Sequence, residues 1–205
     1  MKTVLKLSIA LTIALTVTSC SNNSSNSYTS TGPYYGGETV DGYTLPPMPN
    51  PKTNDKTLLG TDTNDNGIRD DVEIYIYNRF QGYVNSKVER EIAMQYAKAY
   101  QQVLISPETA YEDRKYEIED RVITCEFYYY DQYLKNVSYE EELTYHIKHN
   151  VFNPEFKDIV FNTKDRLKTF FRYNKSMSGH VFEGYQGNKK EACDFDPDPL
   201  IEGTL

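Results

Sequence analysis

From residue 70 to residue 177 the apolar positions return every three or four residues, the spacing that lines one face of an α-helix. Val72, Ile76 and Phe80, with Tyr75 and Tyr83 nearby, predict a helix from about Asp70 to Gln81 that stops at Gly82. Ser86 and Glu89 have the spacing of a capping box and open a second helix, whose inner face is Val88, Ile92, Tyr96, Tyr100, Val103 and Leu104. Ser106 followed by Pro107 starts a third, expected to run through Ile118, Val122, Cys125, Tyr129 and Tyr133 with a break near Tyr111. Another capping box, Ser138 with Glu141, begins a fourth that is expected to bury Leu143 and Ile147. Asn153-Pro154 and the stretch from Asn162 to Asp165 mark two more starts, and the last helix presents Leu167, Phe170, Phe171 and Met177 before Gly179 ends it. Few runs alternate between apolar and polar, so strands are not expected. The fold class is therefore all-α: a compact bundle of about five helices.

Before residue 57 the pattern is different. Residues 1–19 place Lys2 and Lys6 ahead of an apolar run that ends in small polar residues, as a secretory leader does, and the run is short for a bilayer span. Its end, Val17-Thr18-Ser19-Cys20, resembles the lipobox of bacterial lipoproteins. That resemblance implies cleavage before Cys20, lipidation of its thiol and anchorage to the cell envelope. By further resemblance to enterobacterial lipoproteins, Ser21 points to the outer membrane. Residues 20–56 are rich in Ser, Asn, Gly and Pro and are expected to form a flexible tether, because such a segment buries too little apolar surface to offset its ordering entropy. Residues 57–205 make up one helical domain.

The formal charge of −8 becomes more negative once a leader holding Lys2 and Lys6 and no acid is removed. That balance argues against nucleic acid as a partner and suits a cation or a basic protein face. With Cys20 committed to lipid, Cys125 and Cys193 are left in an oxidising compartment and are expected to pair. The pair would pin the irregular tail after Gly179 to the long third helix.

The stretch from Asp62 to Glu73, DTNDNGIRDDVE, carries the most specific chemistry. An EF-hand loop takes oxygens at positions one, three, five, seven, nine and twelve and a glycine at six. Asp62, Asn64, Asn66, the backbone carbonyl of Ile68, Asp70 and Glu73 fill those places, with Gly67 at the turn. The competing explanation is an Asx-rich turn with Asp70 or Asp71 capping the first helix. Arg69 occupies the eighth place, normally aliphatic, and the incoming segment is not helical. The loop therefore resembles the single calcium loops of thrombospondin type 3 repeats and bacterial calcium modules. That resemblance implies a structural Ca2+ and no enzymatic activity, with the ion bridging the tether's end and the first helix.

Other constellations are weaker. His146 and His149, with Glu142 before them, lack a third metal ligand and are expected on a solvated helix face. Ser178 and His180 lack a nucleophile elbow, the run from Asp194 to Asp198 lacks the loop glycine, and Lys164, Lys168, Arg172 and Lys175 form a basic stripe on the last helix. The 19 tyrosines include a run at 128–130, which offers either an exposed recognition surface or half-buried rings between helices. The leading expectation is a non-enzymatic, calcium-binding envelope lipoprotein that binds a protein or cell-wall partner. The alternatives are an envelope hydrolase whose site is assembled from distant residues, and an inhibitor or immunity lipoprotein.

Overall fold

The computed structural model describes residues 33–151 and 153–203. The leader, Cys20 and the first part of the tether lie outside the described residues. A two-stranded antiparallel hairpin, β1 (Thr39–Val40) and β2 (Tyr43–Thr44), precedes helices α1 (Pro51–Asn54), α2 (Asp70–Arg79), α3 (Ser86–Val103), α4 (Tyr116–Tyr133), α5 (Tyr139–His149), α6 (Pro154–Val160) and α7 (Lys164–Met177). The protein is an all-α bundle with α3 at its centre. One continuous core joins Val72, Ile76 and Phe80 of α2 and its end, Val88, Ile92, Tyr96 and Tyr100 of α3, and Val122, Cys125 and Tyr129 of α4.

Residues 34–56, expected to be a flexible tether, instead lie against the helices. Asp41 and Gly42 take positive φ values of 50° and 85°, the two-residue turn that closes a tight hairpin. Leu45 is buried, and the side-chain amide of Asn78 on α2 accepts from the backbone N–H of Tyr34 and donates to its carbonyl. Gly36, at φ 100°, lies so close to the backbone of Pro46 and Met48 that a Cβ would clash with both. Asp41 pairs with Arg90 of α3, whose guanidinium lies over the Tyr77 ring, and Tyr43 stacks on Tyr77 as well. Aromatic burial and these polar ties supply what the prolines and glycines lack in apolar bulk.

Several helices depart from their expected faces. The expected Ser86 capping box does not form: Asn85, in the left-handed region, is the N-cap of α3 without a side-chain bond, and Glu89 turns into the core. The third helix is interrupted as expected, with a 3-10 turn at Pro107–Thr109 followed by α4 from Tyr116. In α5 the Ser138–Glu141 box is present, yet Leu143 and Ile147 are exposed and the helix buries Tyr145 instead. On α7, Leu167 and Phe171 face solvent, while Arg166, Thr169 and Tyr173 are buried.

Tyrosine phenols explain both the turned faces and the aromatic composition. Glu89, fully buried, accepts from Tyr83 and Tyr145 at 2.6 Å each and from Tyr129 at 3.2 Å. Glu126 accepts from Tyr96 and Tyr130, and Glu119 from Tyr173. A buried carboxylate costs several kcal/mol unless hydrogen-bonded. The phenols replace water here, so the run at 128–130 is mostly core, with Tyr129 and Tyr130 buried and Phe127 exposed.

Cys125 and Cys193 form the expected disulfide, closing 68 residues and fastening the tail to α4. Loop closure of that length contributes about 4 kcal/mol in the chain-entropy picture. Two fully buried arginines fix the remaining loops. Arg69 donates to the carbonyls of Ile159 and Val160 at the end of α6, and Arg166 donates to those of Asn54, Thr57 and Leu58. No helix among the described residues is long and apolar enough to cross a membrane.

Candidate metal centre

The loop of residues 62–73 runs from the segment held by Arg166 into the first turn of α2. Its backbone is wound by its own side chains. Asp62 accepts from the N–H groups of Asn66 at 3.2 Å and Gly67 at 2.8 Å. Gly67 adopts φ 84°, a conformation a side chain would strain, which is why glycine stands at the sixth place. Asn66 Oδ1 accepts from Ile68 N–H, and the Ile68 side chain is buried in the core. Asp70 accepts from both the N–H and the hydroxyl of Thr63, tying the ninth place back to the second.

The centre of the loop is Glu73. Its carboxylate is fully buried and accepts from the amides of Asn66 at 2.5 Å and Asn64 at 3.3 Å, and from the hydroxyl of Tyr43. Both asparagine amides also donate to Tyr43 Oη, at 3.0 Å each. The structure thus brings together the third, fifth and twelfth places around a phenol from the hairpin. It spends Asp62 and Asp70 on loop backbone and on Thr63. No group of three or more His, Cys, Asp or Glu side chains converges among the described residues. Tyr43 was missed from sequence because it lies 19 residues ahead of the loop, although the Asp41-Gly42 hairpin signal that delivers it was present.

Electrostatics decide whether these residues fit a cation. Burial is the main cause that pushes the Glu73 carboxyl above the ordinary range; bonds from Tyr43, Asn66 and Asn64 pull it down, and the charge of Asp70 adds to the rise. Asp70 and Glu73 are both fully buried, and neither joins an ion pair among the described residues. The donors are hard oxygens throughout, the kind calcium takes. Turning over the Asn64 amide would exchange donor for acceptor toward Glu73 without moving the backbone, whereas the Asn66 amide is held in place by the Ile68 N–H on its oxygen. The Asx-rich turn of the competing explanation is present in the bonds that Asp62 and Asn66 accept from the loop backbone, but the cap by Asp70 or Asp71 is not, since the N-cap of α2 is Arg69 with no side-chain bond. Arg69 instead binds the loop to the end of α6, which explains a cation at the place where paired loops carry an aliphatic residue.

The remaining constellations do not assemble. His146 lies 3.7 Å from Glu142 and meets the edge of Tyr130, whereas His149 stacks on Tyr145 and lies 3.6 Å from Glu89. His149 is therefore not on a solvated face, and the two histidines point to different partners. His180 stacks on Tyr111 while Ser178 donates to the Asn174 carbonyl. Asp196 and Asp198 share Lys190, and in the basic stripe Lys168 lies near Asp165 and Arg172 pairs with Glu108. An open groove of about 600 Å3 runs beside α5, lined by Tyr83, Tyr133, Tyr145 and His149 together with Glu140 and Lys148. No family model matches this chain, and neither the curated proteins nor the solved structures contain a match to it.

Proposed function

We propose that this chain is a lipid-anchored envelope protein whose helical body is clasped by one calcium ion and which binds a protein or cell-wall partner without catalysing a reaction. The observation that carries the reading is the pair of buried carboxylates Asp70 and Glu73, neither in an ion pair among the described residues, inside a loop wound around Gly67. Two like charges out of water repel, and a divalent ion is the simplest partner that would turn that cost into attraction. Asp62, Asn64, Asn66, Asp70, Glu73 and the Ile68 carbonyl are the residues that would hold it, and its chemistry there is structural charge neutralisation. Anchorage through Cys20 rests on the lipobox resemblance. The binding role draws on the tyrosine-walled groove, where Tyr83 gives its hydroxyl to Glu89 and keeps part of its ring exposed to meet a partner.

Calorimetric titration of calcium into the chelator-treated protein, with thermal melts beside it, tests this. At a free concentration a hundred times the dissociation constant, calcium should stabilise the fold by about 2.7 kcal/mol. Glu73→Gln should abolish that gain. No heat of binding and an unchanged melt would sink the reading. One observation favours the hydrolase alternative: Glu89 lies behind the groove wall, 3.6 Å from His149 in it. Under the binding reading, Glu89→Gln changes stability and leaves no activity to lose.

A further inference from the structure

Helix α5 presents two apolar stripes, and only one of them is used. Tyr145 and His149 pack inward against Tyr83, Tyr133 and the Glu89 carboxylate. Tyr139, Leu143 and Ile147, spaced four apart on another face, are 78%, 47% and 78% exposed. An isolated exposed leucine needs no explanation, but a stripe continuous over two helical turns does. The charges around it are ordered as well: Glu140, Glu141 and Glu142 fill the first turn, and His146, Lys148 and His149 the last.

We propose that α5 is a self-association surface, on which a second copy of this chain docks antiparallel through the same helix. A twofold axis across Leu143 and Thr144 sets Leu143 against its own copy and Tyr139 against Ile147 of the second copy. The row beside the stripe, Glu140, Thr144 and Lys148, then faces itself run backwards, so each Glu140 meets a Lys148. On the stripe's other side, Glu142 meets His146. Glu140 and Lys148 are exposed and belong to no ion pair among the described residues, so both are open to a partner. A parallel pair would instead oppose the acidic first turns to each other, which charge repulsion disfavours. The opposed helix dipoles favour the antiparallel arrangement too. An 11-residue helix spans only about 16 Å, so the contact is smaller than a standard interface and the dimer is weak.

Sedimentation equilibrium of the full chain in detergent, over a range of concentrations, tests the proposal. The chain should pass reversibly from monomer to dimer, and Leu143→Glu should hold it as a monomer with an unchanged melting temperature. Glu140→Lys and Lys148→Glu should each weaken the dimer by roughly five- to tenfold, since each pair occurs twice. The double reversal should restore it, because the swapped charges still meet across the axis. A chain that stays monomeric at every concentration overturns the proposal and leaves the stripe to a different protein. So does a dimer that survives Leu143→Glu, or a double reversal weaker than either single change.

Discussion

Tyr43 joins three residues of the loop through one hydroxyl, donating to Glu73 and accepting from Asn64 and Asn66. Burial and the Glu73 carboxylate push its own ionisation upward, so it remains a donor across the physiological range. Tyr43→Phe removes that donor and leaves Glu73 with the two amides alone. The calcium-free protein should lose about 1.5–3 kcal/mol in urea unfolding, the cost of a bond to a buried charged group. A loss below about 0.3 kcal/mol would mean that the phenol adds nothing to the loop. Glu126 shows the same chemistry in the core, where burial raises its carboxyl and the bonds from Tyr130 and Tyr96 oppose the rise. Its counterpart Glu119 is raised by burial and eased by Tyr173.

At the scale of elements, the tail and the hairpin are held by different means. The segment after α7 has little regular structure, and its 3-10 turn at Lys190–Ala192 is fastened by the disulfide and by Gln95, whose amide donates to the Ala192 carbonyl and accepts from Asp194 N–H. Reduction of Cys125–Cys193 releases a 68-residue constraint, and urea denaturation of the reduced chain should show a loss near 4 kcal/mol. An equal midpoint with and without reductant would show that Gln95 and the packing suffice. The starts of α5, α6 and α7 were legible because their caps are local: Ser138 accepts from Glu141, Asn153 from Phe156 and Thr163 from Arg166. The start of α3 was legible only in position, because Glu89 has more to gain from three phenols than from a capping box. Which stripe of α5 turns inward was not legible, since Tyr139, Leu143 and Ile147 share the four-residue spacing of Tyr145 and His149.

Across the whole molecule, carboxylates partly or wholly withdrawn from water set how stability depends on pH. Glu91, Glu119 and Glu126 are each raised above the ordinary value of 4.5, with burial the leading cause. The folded state therefore binds their protons more tightly than the unfolded chain does. Their stabilising contribution is complete below 4.5 and is lost as pH rises through the folded-state values. Asp41, held low by Arg90 against its own desolvation, acts in the opposite direction: its contribution is lost only as pH falls below the ordinary 3.8. The melting temperature of the chelator-treated protein should rise from neutral to mildly acidic pH before falling in stronger acid. Glu126→Gln should flatten the rise; a melting temperature that falls steadily from pH 7 downward would contradict this account.

Helix periodicity, cap residues and the order of oxygens from Asp62 to Glu73 are local properties, written in neighbours a few residues apart, and the cysteine pairing followed from the count of cysteines left once Cys20 is set aside. They determined an all-α class, most helix starts and the place of the loop. Tertiary structure alone decided that residues 34–56 fold back, that Tyr43 enters the loop, that Arg69 and Arg166 staple loops to α6 and α7, and that α5 leaves Leu143 and Ile147 outside. The physical reason is shared by all four. Each depends on where a buried polar group finds its partner, and those partners lie from 30 to more than 100 residues away.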